Sequence, residues 1–311
     1  MSAAPQVLRL GTRTSLLARS QSQHVADQLT AVTGHRVELV EIITRGDLDP
    51  GPLHAMGGQG VFTSALRDAL YNRQVDFAVH SLKDLPTATV DGLTIAAIPP
   101  REDPRDALIA RDGLTIGQLP PGATVGTGSL RRSAQLRAMG LDLQPVPIRG
   151  NVDSRLRKVQ TGELDAVVLA ASGLRRLGRA DLITESIDPI AMLPAPGQGA
   201  LAIEALEDNT QILDLLNRLD DHYSRLSVTA ERAVLAELEA GCSSPVGALA
   251  EVVDAEDGLL ISLRASVTAL DGSDAVRNAL TAPLTDAEIV GARLARILLE
   301  DGATDFMGAR E

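Results

Sequence analysis

The segment His80-Ser81-Leu82-Lys83-Asp84-Leu85-Pro86 follows Asp76-Phe77-Ala78-Val79, a short apolar run that reads as a strand. In open parallel sheets the ligand crevice lies just beyond the carboxyl ends of the strands. A strand ending this way delivers a hydroxyl, an ammonium and a carboxylate to that crevice. On an extended segment Lys83 and Asp84 point to opposite sides, so each faces its own partner. The same residues would serve equally as a solvated loop with a surface charge pair.

The middle third adds cations. Thr124-Val125-Gly126 reads as a strand running into Thr127-Gly128-Ser129 and then a helix over about Leu130–Met139. Thr127 or Ser129 can cap that helix, whose free N–H groups favour anions. Arg131 and Arg132 sit in its first turn, against the helix dipole. A local rule broken at a strand end points to function, although two solvent-facing arginines would read the same way. Val146-Pro147-Ile148 leads to Arg149-Gly150-Asn151, and Asn151 caps a helix over Val152–Gln160 with Arg155 one turn along. The strand Asp165–Ala170 is followed by Ala171-Ser172-Gly173 and a turn carrying Arg175 and Arg176. Arginine binds carboxylates bidentately through a planar fork. Three arginine-bearing strand ends suit a ligand with several carboxylates better than one with a single phosphate.

These residues must be positioned by a chain of 311 residues, long enough for two or three domains. Apolar residues make up 44% and aromatics only 2%, so the cores must be built from Leu, Val, Ile and Ala. The net charge of −12 argues against a nucleic-acid binder. The charge is uneven: residues 101–180 hold 13 basic and 8 acidic residues, against 16 and 33 in the rest. No apolar run is long enough to span a bilayer and nothing reads as a signal peptide, so a cytoplasmic protein is expected. The five histidines lack metal-ligand spacing, and no metal is expected.

The first third reads β-α-β-α-β: a strand Val7–Leu10 ending in Gly11–Ser15, a helix from Leu16 to Val32, and a strand Val37–Ile43 ending in Thr44-Arg45-Gly46-Asp47. A glycine-rich loop Met56–Gly60, a helix Val61–Tyr71 and the strand into His80 follow. This order implies a parallel sheet with right-handed crossovers. Arg13, Ser15, Ser81, Lys83 and Asp84 all fall where strands end. Pro99-Pro100 breaks the chain, and Leu193–Ala200 is a rigid, hinge-like segment. Leu201–Glu204 is a short strand suited to return to the first sheet. After Asp220 come a helix over 225–239, strand-like runs at 246–253, 259–269 and 275–281, and a helix Asp286–Glu300: a small α+β domain with an antiparallel sheet. The single cysteine, Cys242, rules out an internal disulfide. By itself it reads as a small buried apolar residue as readily as a reactive thiol.

Taken together the motifs resemble the porphobilinogen deaminase family. They are Thr12–Ser15, Thr44–Asp47, Gly57–Gly60, His80–Asp84, Arg101–Asp106, Gly126–Arg132, Arg149–Asn151, Leu193–Gly199 and Gly241-Cys242, in that order. The resemblance implies three domains: 1–99 with 200–218, 100–199, and 219–311. The first two would be hinged α/β lobes like those of type II periplasmic binding proteins, with the active cleft between them, and the third would carry the cysteine.

The implied activity joins four porphobilinogen units head to tail, with loss of ammonia, to give hydroxymethylbilane. The implied cofactor is a dipyrromethane primer held by a thioether to Cys242. Asp84 matches the catalytic aspartate. Ser81, Lys83, Asp84, Thr127, Ser129, Arg131, Arg132 and Gly150 match cofactor-binding positions. Arg13, Ser15, Arg149, Arg155, Gly173 and Arg176 match substrate-binding positions. A monomer acting on a small molecule, with no nucleic-acid or membrane partner, is expected.

The sequence departs from the family in Ala55 and Gln59, where many relatives have lysine, and in Leu16, where many have proline. A non-catalytic two-lobed binding module is the competing reading. It requires neither Cys242 nor the Lys83-Asp84 pair, and no helix-turn-helix segment accompanies it.

Overall fold

The computed structural model describes residues 7–44, 63–241, 244–256 and 258–307. The chain folds as two compact units, Met1–Arg101 with Ala200–Arg225, and Glu102–Gly199 with Leu226–Glu311.

In the first unit, Val7–Arg13 (β1) leads to helix Leu16–Thr33 (α1). The Ser15 hydroxyl accepts from the Ala18 N–H at 3.3 Å, which starts the helix at Leu16. Gly34, at φ 75°, ends it in the left-handed conformation that glycine adopts without strain. Val25, Ala26 and Leu29 turn inward. Arg36–Ile42 (β2), helix Ser64–Tyr71 (α2), Phe77–Ser81 (β3) and Leu93–Ala97 (β4) follow. Leu201–Leu206 (β10) comes back to this sheet, whose order is β2-β1-β3-β10-β4. β1 is parallel to β2 and β3, while β10 is antiparallel to β3 and β4.

The second unit repeats the plan. Its sheet consists of Asp106–Ala110 (β5), Thr124–Thr127 (β6), Gln144–Pro147 (β7), Ala166–Ala170 (β8) and Glu185–Ser186 (β9), in the order β7-β6-β8-β5-β9. β6 is parallel to β7 and β8, and β5 is antiparallel to β8 and β9. β7 carries Pro145 and Pro147, which an edge strand tolerates because its outer N–H groups need no ladder partner. Helices Leu130–Ala138 (α3), Val152–Gln160 (α4) and Ala171–Arg176 (α5) follow β6, β7 and β8.

Each sheet is therefore mixed rather than wholly parallel as the βαβ reading implied. A parallel trio is joined, next to the edge, by one reversed strand from beyond the point where the chain crosses between units. This strand order is shared by both sheets.

Helix Thr210–Leu216 (α6) packs on the first sheet. Helix His222–Glu237 (α7) begins three residues earlier than its hydrophobic spacing indicates, because the Asp221 carboxylate accepts from the Ser224 N–H at 2.8 Å and caps it. Val246–Ala255 (β11), Gly258–Thr268 (β12) and Ala275–Pro283 (β13) form an antiparallel meander. Helix Ala287–Glu300 (α8) and α7 bury Leu294, Leu298 and Val234, together with Leu238 just after α7, against Ala248, Ile261 and Leu263.

This small sheet is tied to the Leu193–Gly199 segment of its own unit. The Ala248 N–H donates to the Pro194 carbonyl at 3.0 Å. The buried Glu231 carboxylate accepts from the N–H groups of Gly197 and Ala250, at 2.6 and 2.8 Å. A Cβ on Gly247 would lie 2.9 Å from the Leu193 carbonyl oxygen, so only glycine allows this approach.

Candidate active site

β3 ends at Ser81, and Leu82–Asp84 forms a single 3₁₀ turn. The extended reading of Lys83 and Asp84 is thus corrected. The turn is closed by the Leu85 N–H to the Leu82 carbonyl at 3.0 Å and anchored by the Leu82 N–H to the Ala200 carbonyl at 3.0 Å. The Leu82 side chain is wholly buried. Burial of a leucine stabilises by roughly 1.5–3 kcal/mol, enough to hold a three-residue turn to the sheet. The Gln21 amide on α1, itself buried, donates to the Ser81 hydroxyl at 3.1 Å. Lys83 is half-buried and Asp84 exposed. Among the described residues the Asp84 carboxylate has no hydrogen-bond or ion-pair partner, which leaves both oxygens available to a ligand. Arg13 ends β1 and Ser15 caps α1.

Directly before Ser81, His80 is buried with Nε2 3.2 Å from Glu204 Oε2. Arg67 of α2 donates to the same carboxylate, Nη2 to Oε1 at 2.8 Å and Nε to Oε1 and Oε2 at 3.1 and 3.2 Å. Burial raises the Glu204 carboxyl, but His80 and Arg67 outweigh it and hold the group below the usual carboxylate range.

In the second unit Arg131 and Arg132 do not face solvent. Both are buried and both bind Asp106, the first residue of β5, which is 0% exposed. Arg131 Nη1 reaches Asp106 Oδ2 at 2.8 Å and the Leu193 carbonyl at 2.6 Å. Arg132 Nε reaches Asp106 Oδ1 at 2.9 Å. The Gln198 amide donates to Asp106 Oδ1 at 2.9 Å and accepts from Arg132 Nη2 at 3.2 Å. Burial would raise the Asp106 carboxyl, and the two guanidinium groups reverse this, holding it well below the usual range. Arg131 Nε is buried without a hydrogen-bond partner among the described residues.

The sequence reading missed Asp106 and Gln198, although both lie in its motifs. The signal was present: an ionisable residue heading the fully apolar run Ala107–Ala110 cannot be buried unless cations meet it. Asp106→Asn is expected to strand two buried guanidinium groups and to destabilise the protein by about 3–5 kcal/mol. Asp208→Asn, at the exposed Arg73–Asp208 pair, should cost under about 1 kcal/mol. Urea-unfolding midpoints at neutral pH compare the two. Because the folded-state pKa of Asp106 is depressed, its contribution is present above the unfolded carboxylate pKa of about 4 and is lost as pH falls below it. Asp106→Asn should therefore be less acid-sensitive than the parent over that range.

The remaining arginines are close enough to repel. Arg155 is held below its ordinary value by burial first, and then by Arg132 and Arg149. Its Nε donates to the Gly150 carbonyl at 2.9 Å. Among the described residues neither Arg149 nor Arg155 pairs with a carboxylate. Gly150 sits at φ 103°, where a Cβ would lie 2.2 Å from the Ser154 hydroxyl oxygen, so no other residue fits that turn. Ser129, rather than Thr127, caps α3, accepting from the Arg132 N–H at 3.4 Å. Thr127 accepts from the Ser129 N–H at 3.2 Å.

After β8, Ala171–Arg176 is a helix, α5, and not the expected turn. Gly173 is buried in it, and Arg176 Nη2 donates to the Gly199 carbonyl at 2.7 Å. Cys242, Ala55, Gln59 and the glycine-rich loop lie outside the described residues. Gly241 and Ser244, which flank Cys242 and Ser243 in the sequence, are joined by the Ser244 N–H to the Gly241 carbonyl at 3.0 Å. Among the described residues no cluster of three or more His, Cys, Asp or Glu is arranged to hold a metal, and no helix is long and apolar enough to cross a membrane.

Comparison with known proteins bears on this arrangement. Residues 8–214 match a family model described as porphobilinogen deaminase, dipyromethane cofactor binding domain, and residues 225–300 one described as porphobilinogen deaminase, C-terminal domain. The chain is 54% identical over 306 residues to porphobilinogen deaminase of Mycobacterium tuberculosis (strain ATCC 25618 / H37Rv), covering 97% of this chain and 98% of that one. It is 54% identical over 310 residues to that of Mycobacterium avium (strain 104), covering 98% of each. Solved structures similar to it include the methionine binding protein MetQ, with a TM-score of 0.45 and 12% identity over 68% of this chain and 89% of that one. The periplasmic VFT2 domain of Bordetella pertussis BvgS gives a TM-score of 0.41 and 18% identity over 68% and 86%.

Proposed function

The chain belongs to the porphobilinogen deaminase family, and from that premise we propose that Asp84 carries its chemical step and Cys242 its covalently held cofactor. The enzyme is a transferase of tetrapyrrole biosynthesis that polymerises porphobilinogen to hydroxymethylbilane on a dipyrromethane cofactor. When bound, the dipyrromethane supplies the primer to which substrate units are joined. The donor set fits such a group, since two pyrroles with acetate and propionate side chains bring four carboxylates to neutralise clustered arginines.

One observation carries the assignment of roles. Arg155 is crowded by Arg132 and Arg149, and among the described residues no carboxylate relieves Arg149 or Arg155. Like charges held together in a partly buried place call for an anionic ligand. Arg149, Arg155, Arg176, Gly173, Arg13 and Ser15 are proposed to bind incoming substrate or the growing chain. Ser81, Lys83, Thr127, Ser129, Arg131, Arg132 and Gly150 are proposed to hold the cofactor, with Asp106 and Gln198 fixing the two buried arginines. Arg131 then has one carboxylate from the protein and an unused Nε for one from the ligand. Asp84, exposed and unpaired among the described residues, is proposed to stabilise positive charge developing on substrate pyrrole nitrogen and to accept its N–H.

Three domains, 1–99 with 200–218, 100–199 and 219–311, are proposed for a cytoplasmic monomer. Its net charge of −12 favours small-molecule over nucleic-acid partners.

The test is a native gel of enzyme mixed with porphobilinogen. The parent should give a ladder of enzyme–substrate complexes. Loss of a bidentate, partly buried pair costs on the order of 2–5 kcal/mol, so Arg155→Leu should truncate the ladder and slow product formation by at least about thirtyfold. An unchanged ladder and rate would remove the arginine cluster from substrate binding.

A further inference from the structure

The end of β3 is gripped from both faces of its sheet. Phe77 and Val79 belong to the core shared with α1, and Ser81, in phase with them, meets Gln21 of α1. Ala78 belongs to the core shared with α2, and His80, in phase with it, meets Glu204. β10 alternates in the same way. Leu201, Ile203 and Ala205 join the α1 core, Leu206 joins the α2 core, and Glu204 is in phase with Leu206. Glu204 thus ties three elements with one carboxylate: Arg67 of α2, its own strand, and the penultimate residue of β3.

A buried ion pair can often be replaced by apolar residues without loss of stability. What a charge-assisted hydrogen bond adds is direction, here the 2.8 Å contact from Arg67; His80 Nε2 packs 3.2 Å from the same carboxylate, a close contact without hydrogen-bond geometry.

We infer that Glu204 is a positioning residue for the reaction: the Arg67–Glu204–His80 bridge sets the depth and angle of the β3 end, and so where the Leu82–Asp84 turn presents Asp84. This rests on the role proposed above for Asp84. Between the bridge and the Asp84 carboxylate stand only Ser81, the wholly buried Leu82 and Lys83 of the same 3₁₀ turn, so a shift at His80 is transmitted with little slack. Misplacement by about 1 Å costs roughly a hundredfold in rate.

Glu204→Gln keeps the side-chain shape and one acceptor while removing the charge that holds Arg67 and His80. Its kcat should fall roughly ten- to a hundredfold, with KM within about threefold of the parent and dipyrromethane content by intact mass unchanged. Asp76→Asn is the control. It breaks the Arg9–Asp76 pair beside the start of the same strand, where Nη2 and Oδ1 are 2.7 Å apart. It should lower the unfolding temperature and leave kcat unchanged. If Glu204→Gln does not fold, His80→Gln leaves the Arg67–Glu204 pair intact and should show the same selective loss of kcat.

The inference is overturned if the folded variant keeps the parent kcat, or if kcat and cofactor content fall together in proportion to stability. Asp84→Asn measured alongside separates the two ideas. If Asp84→Asn is inactive while Glu204→Gln is fully active, only the positioning role fails. If Asp84→Asn is itself active, the assignment of Asp84 fails.

Discussion

Asp84→Asn is expected to retain dipyrromethane and lose most of its turnover. The substitution keeps the size of the side chain and one acceptor oxygen but removes the negative charge. Loss of ammonia and attack by the next ring both leave a substrate pyrrole more positive than the bound ground state. An anion at that point favours the transition state over the ground state. Removing one preorganised electrostatic partner of this kind typically costs about 10²–10³ in rate. Asp84→Glu keeps the charge but displaces it by about one methylene, a change worth roughly a hundredfold.

The neutral variant should therefore be the slower of the two. The 3₁₀ turn supports this ordering: Leu82 and the Leu85 N–H fix the backbone, so a longer side chain cannot be absorbed by moving the turn. Single-turnover measurements should show ammonia release and bond formation slowed more than substrate capture. Equal losses in both variants would favour geometry over charge as the role of Asp84.

Cys242→Ser is expected to give a folded protein without cofactor and without activity. A serine hydroxyl is a far weaker nucleophile near neutral pH than a thiol that is partly thiolate, and the chain has no second cysteine to substitute for it. Intact mass should equal the bare polypeptide, whereas the parent from cells that make porphobilinogen should be heavier by one dipyrromethane. Ehrlich's reagent should give the red colour of the dipyrromethane with the parent only. The unfolding temperature of the variant should match that of cofactor-free parent, since the substitution itself only exchanges a sulfur atom for an oxygen. Normal cofactor content and turnover in Cys242→Ser would place the attachment elsewhere.

Local patterns were enough for much of the molecule. Alternating and 3.6-residue spacings located most of the strands and helices, because each element buries one face and the periodicity records which; β4, β9, α5 and α6 are not legible in this way. Asn151 marked its helix start through a side-chain oxygen that caps the residues just after it, while for α3 the sequence offered Thr127 or Ser129 and the structure uses Ser129. Arg149, Arg155 and Arg132 could be gathered from strand ends, since in parallel units the carboxyl ends share one edge. The motifs, in their order, also sufficed to indicate the family and its cofactor.

Partners distant along the chain were decided by the tertiary structure. The bond of Arg131 and Arg132 to Asp106 spans 25 and 26 residues, and that of Arg67 to Glu204 spans 137. No local period encodes such separations. They follow from β5 and β10 entering their sheets reversed, which places the first residue of β5 and a mid-strand residue of β10 beside helices from elsewhere in the chain. The turn at Lys83-Asp84 likewise depends on Ala200, whose carbonyl holds the Leu82 N–H across more than a hundred residues of intervening chain. Chemistry-bearing residue types could be read one at a time, but their orientation is set by buried charges. A buried charge persists only where long-range packing supplies its counter-charge.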